Sequence, residues 1–112
     1  MTIEQLRALG VKTDEGLARC MNNEPFYFRM IGLALADGNF DRLRSAVENN
    51  DLGAAFEAAH ALKGATGNVS LTPIYEPVCE MTELLRAKTP ADYRPYLEKI
   101  LSARAALQEI AK

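Results

Sequence analysis

A chain of 112 residues has room for one domain, here residues 1–112. It is 48% hydrophobic and 25% charged with a net charge of −2, the balance of a globular protein. That excludes a global basic footprint for nucleic acid and a polybasic membrane anchor, and no apolar run approaches the ~18 residues of a membrane span.

The N-terminus lacks the basic start and apolar stretch of a secretory signal. Cys20 and Cys79 are far apart and in no metal-ligand spacing. Two reduced thiols in a cytoplasmic protein are expected.

Thr2 and Gln5 have capping-box spacing and open a short helix through Leu9, stopped by Gly10. Thr13-Asp14-Glu15 opens a second short helix carrying Leu17 and Met21 on one side. Asn22-Asn23 ends it, and Asn23 or Glu24 with Pro25 begins a third. There, Phe26, Met30, Leu33, Phe40, Leu43 and Val47 recur at helical spacing. They predict one long amphipathic helix with a weak point at Asp37-Gly38-Asn39.

Asn49-Asn50-Asp51 re-caps the chain, and the next helix runs from about Leu52 to Val69. Thr72-Pro73 reads as a cap followed by proline at the first helical position, opening a helix through Arg86. Pro77 removes one of its early hydrogen bonds. The last helix runs from about Asp92 to Ala111, with Tyr93, Leu97, Ile100, Leu101, Arg104 and Leu107 along its stripe. The fold class is therefore all-α: an antiparallel four-helix bundle with short N-terminal helices. One closed bundle leaves no obvious second apolar face, so a monomer is expected.

The chain has a single histidine, His60, in the run Ala59-His60-Ala61-Leu62-Lys63-Gly64-Ala65-Thr66-Gly67-Asn68-Val69. At about 100° per residue, Ala58, Leu62, Ala65 and Val69 project opposite His60, with Ala55 on the same side. They form the predicted buried stripe, and His60 points outward. Gly53, Gly64 and Gly67 project with it, and Lys63 and Glu57 flank it. Glycine within a helix costs about 1 kcal/mol relative to alanine, so Gly64 and Gly67 call for a use. For both, that use is steric access to the imidazole, with a helix stop at Gly67-Asn68 as the alternative for Gly67. Lys63, at i+3, lies over the same turn and can meet the oxygens of an attached phosphoryl group. Phe56 also projects toward this side, either tucked against a neighbouring helix or exposed as a docking anchor beside Glu57.

An exposed histidine in this setting suits a nucleophile that meets a phosphoryl group on another protein. Two rivals differ in class. One is a docking module whose histidine is never modified. The other is an acid–base enzyme, which needs a converging carboxylate, with Glu57 the only local candidate. No nucleotide-binding glycine loop is present, so the chain is not itself a kinase.

His60-Ala61-Leu62-Lys63-Gly64 followed by Gly67-Asn68-Val69 resembles the signature of histidine-containing phosphotransfer (HPt) domains. Glu15 to Arg19, Tyr27 to Leu35, and Leu52 to Val69 resemble that family's layout in order and spacing. The resemblance implies a four-helix bundle that carries a phosphoryl group on His60 as phosphoacceptor. Lys63 then assists the phosphoryl group and Gly64 gives it room. It also implies response-regulator receiver domains as partners, with a hybrid sensor histidine kinase upstream. No cofactor or metal site of the chain's own is expected, and Mg2+ comes with the receiver. The chain departs from the family pattern at Ser70, where many members have glycine, and at Pro73 and Pro77.

Overall fold

The computed structural model describes residues 1–112. Seven helices follow one another: α1 (Ile3–Ala8), α2 (Thr13–Arg19), α3 (Glu24–Leu35), α4 (Asn39–Glu48), α5 (Leu52–Gly67), α6 (Thr72–Arg86) and α7 (Arg94–Ala111). Helices α4 to α7 close a ring of neighbours, in which α5 lies between α4 and α6, and α7 touches both α6 and α4. Helix α3 extends the bundle alongside α7, while α1 and α2 pack near its start. The result is the expected bundle, drawn out to 41 × 23 × 21 Å.

Local chemistry accounts for the boundaries. Thr2 and Gln5 form a complete capping box. Asn23 caps α3 through the Phe26 amide at 3.1 Å, and Asp51 caps α5 through the Ala54 amide at 3.1 Å. At α6 the cap position falls on Leu71, with Thr72 already helical. Pro77 sits inside α6 without dividing it.

The single long helix expected from Phe26 to Val47 is two. In an unbroken helix the Asn39 amide would donate to the Leu35 carbonyl. Instead it donates to Asp37 Oδ1 at 2.8 Å, and the Leu35 carbonyl accepts from Arg104 Nε of α7 at 2.8 Å. The Arg104 guanidinium also lies 4.4 Å from the centre of the Phe40 ring. A short acidic side chain competing for backbone groups, followed by glycine, starts the break, and Arg104 stabilises it.

The inward face of α3 also differs from expectation. Tyr27, Ile31, Ala34 and Leu35 are buried, whereas Phe26 and Leu33 are exposed and Met30 only half-buried. Tyr27 decides this face. It is fully buried, and its hydroxyl donates to the Val69 carbonyl at 2.9 Å. A Cβ at Gly16 would fall on the Tyr27 phenol. Thus α2, α3 and the end of α5 meet at one side chain.

The turn from α5 to α6 explains the departure at Ser70. This residue has φ of +56°, in the left-handed region that glycine favours. Its hydroxyl donates to Glu15 Oε1 at 3.2 Å, which helps hold the turn. The core is one cluster of 25 buried apolar residues. No helix is long and apolar enough to cross a membrane.

Candidate functional site

Helix α5 places the site. Its inner side is narrow: Ala55, Ala58, Ala59 and Leu62 are buried. Small side chains let α4 and α6 approach its axis closely. Thr66 belongs to the buried face too, its hydroxyl donating to the Leu62 carbonyl at 2.7 Å. Ala65, expected in the stripe, is only half-buried. With the inner face fixed, His60 stands exposed on the outer one.

The ring of His60 is not free-standing. The Phe56 ring stacks on it, with centroids 5.8 Å apart and planes 15° from parallel. Arg86 of α6 places its guanidinium 5.2 Å from the centre of the Phe56 ring. Glu83 lies 3.6 Å from Arg86 Nε and 3.9 Å from Lys63 Nζ. Phe56, Arg86, Glu83 and Lys63 therefore form an arc on the α6 side of the imidazole. Phe56 is half-buried against the core, so of its two expected placements the tucked one predominates.

The glycines part company. A Cβ on Gly64 would meet nothing within 4 Å, so the space beside the imidazole is open there. Gly67 is different. A Cβ there would lie 2.8 Å from Tyr75 Cε1, closer than real side chains come. Its missing side chain makes room for the Tyr75 ring of α6, which corrects the expectation that Gly67 clears the way to His60. Helical position alone assigns both glycines to one face, and only the neighbouring helix separates them.

Glu57 is exposed and turns to a cleft between α4 and α5, where it lies with Asn39, Arg42 and Asn49. It is thus not brought together with Phe56, which faces α6. No group of three or more His, Cys, Asp or Glu side chains converges anywhere in the chain. Cys20 and Cys79 are free thiols, the first buried and the second half-buried.

Two residues join the site that sequence reasoning gave no role. Arg19 of α2 and Tyr75 of α6 line a shallow depression with His60, Lys63, Gly64 and Gly67. Arg19 is fixed by two contacts: it donates to the Gly67 carbonyl at 3.1 Å and to Glu15 Oε1 at 3.2 Å. Glu15 and Arg19 are one turn apart in the sequence, which signals an ion pair. Nothing in it signals that α2 reaches the end of α5.

The sequence model of the Hpt domain matches residues 33–111. The chain belongs to the Hpt domain family. Hpt domains serve histidine phosphotransfer in two-component systems, as phosphoryl carriers rather than catalysts. The match begins near the end of α3, so α1, α2 and Arg19 lie outside the matched residues. No curated protein and no solved structure matches the chain. Within the matched residues, α5 presents the one histidine, a lysine one turn later and open space at Gly64.

Proposed function

We propose that this Hpt domain is a phosphoryl carrier that relays between receiver-domain aspartates, or takes its phosphoryl group from a hybrid sensor kinase. His60 is the phosphoacceptor. The observation that carries the proposal is the exposed His60 ring with open space at Gly64 and the Lys63 ammonium one turn along.

A neutral imidazole nitrogen, Nε2 by family expectation, attacks the phosphorus in line with the aspartate oxygen. The nitrogen–phosphorus bond forms as the phosphorus–oxygen bond breaks, and the departing carboxylate keeps the electron pair. Charge spreads over the three phosphoryl oxygens in a loose transition state. Lys63 neutralises part of it. Its contact with Glu83 is long and solvent-exposed, the kind of pair worth under about 1 kcal/mol. A phosphoryl group of nearly two negative charges draws the ammonium away from it. Phe56 fixes the plane of the imidazole, and Gly64 admits the partner. The receiver contributes the divalent cation and the second half of the site. The same groups serve the reverse transfer, so net flow follows partner concentrations. Docking is transient, burying about 1,200 Å² or less in total, and the free carrier is a monomer.

Incubation with a phosphorylated receiver tests the assignment. The wild-type chain gains an acid-labile, base-stable phosphate. The His60→Gln variant stays folded and gains none. Equal labelling of the two removes His60 as the acceptor. Binding of receivers without labelling of either chain would favour a docking module, and turnover of a small substrate without a partner would favour an enzyme.

A further inference from the structure

Beside the carrier face lies a groove that phosphoryl transfer itself does not use. It runs between the start of α5 and the turn after α6 and encloses about 440 Å³. Leu52, Phe56 and Leu85 give it an apolar lining, and Arg86 and Lys88, both exposed, add two cations to it. Gly53 completes the wall without a side chain. Leu52 is 36% exposed, a large apolar residue left open to solvent. No acidic residue lines the groove itself. Glu83 lies behind Arg86, 3.6 Å from its Nε in a solvent-exposed pair, and Lys88 has no ion-pair partner within the chain. In a chain with a net charge of −2, two cations around an apolar floor are a local feature rather than a reflection of overall charge.

The groove is continuous with the site. Phe56 stacks on His60 and also lines the groove. Leu52 precedes His60 by eight residues on one helix, about 12 Å along its axis. A protein that brings an aspartyl phosphate to His60 therefore covers the groove in the same encounter.

We propose that this groove is the partner-selecting part of the carrier face. It accepts from the receiver domain an apolar side chain flanked by a carboxylate. This rests on the carrier function proposed above. The apolar side chain displaces water between Leu52, Phe56 and Leu85, and the carboxylate meets Arg86 and Lys88. A receiver presenting a basic residue at that place is repelled by the same two cations, so discrimination arises by exclusion as well as by attraction.

The experiment uses the whole chain and a receiver domain that labels it, charged with acetyl phosphate in the presence of Mg2+. Transfer rates are measured against receiver concentration for wild type, Leu52→Glu and Lys88→Glu. Both positions are exposed, and glutamate in the first turn of α5 suits the helix dipole, so the variants fold. The expected result is a half-saturating receiver concentration raised about tenfold in each variant, with the loss confined to that parameter. Unchanged concentration dependence in both variants, or a loss confined to the saturated rate, overturns the groove assignment. If no receiver labels the wild type, or if His60→Gln is labelled equally, the carrier function itself falls. The two failures are therefore distinguishable.

Discussion

The imidazole of His60 lies nearly parallel to the ring of Phe56, their centres 5.8 Å apart. Phe56 is itself held under the guanidinium of Arg86. An aromatic pair of this kind contributes about 0.5–1.5 kcal/mol beyond burial. Replacing Phe56 by leucine keeps apolar volume and removes the ring face. The expected outcome is an intact fold and a transfer rate at saturating receiver lowered by up to about tenfold. Single-turnover phosphotransfer, with circular dichroism as the check on folding, measures it.

Gly64 and Gly67 should respond oppositely to alanine. At Gly64 the methyl group enters open space, so Gly64→Ala gains up to about 1 kcal/mol of stability from helix propensity while slowing transfer. At Gly67 the methyl group meets the Tyr75 ring. Overpacking of this kind costs about 1–3 kcal/mol, which outweighs the propensity gain. Gly67→Ala is expected to be destabilised, and a further Tyr75→Ala change should restore part of the loss. Denaturant titration of the variants gives the signs.

Burial pushes the Tyr27 phenol up to about 12, from 10 for an ordinary tyrosine, and the neighbouring Cys20 and Glu15 add to the effect. The folded-state value lies above the unfolded one. Its contribution is therefore fully present below pH 10 and is lost as pH rises toward 12. Tyr27→Phe is expected to weaken this loss. Near neutral pH it should cost about 1–2 kcal/mol, because the buried Val69 carbonyl loses its donor. Unfolding free energies of both proteins across pH 7–12 check the two statements together.

Ser70 carries a strained backbone and a useful hydroxyl at once. Ser70→Ala loses the contact with Glu15 and keeps the strain. Ser70→Gly loses the contact and relieves the strain, by about 1–2 kcal/mol. The glycine variant should therefore be more stable than the alanine variant by about 1 kcal/mol. The alternative, equal stabilities, would mean that the turn relaxes out of the left-handed region.

Helices and their order could be read from the chain because caps and apolar spacing act locally. Thr2, Asn23 and Asp51 each cap the helix they announce. The outward direction of His60 followed from the alanine stripe in the same way. Readings that depended on a second element went astray. On α3, Phe26, Met30 and Leu33 occupy one flank of the helix and Tyr27, Ile31 and Ala34 the adjoining one. The bond from Tyr27 to Val69, 42 residues on, settles which flank turns inward. Gly67 needed Tyr75, and the break after Leu35 needed Arg104, 69 residues away. Arg19 reached the site by the same kind of distant contact, through the Gly67 carbonyl.

The exchange of partners at the break between α3 and α4 has a consequence for signalling. The carbonyl and the amide that part there are both re-engaged, by Arg104 and by Asp37. Such a joint is an elbow locked in one pose rather than a hinge. Tyr27 ties the N-terminal helices to the end of α5 a second time, and Arg19 holds the Gly67 carbonyl one helix over. On the carrier function proposed above, a receiver then meets a surface already assembled from both parts of the chain before it arrives.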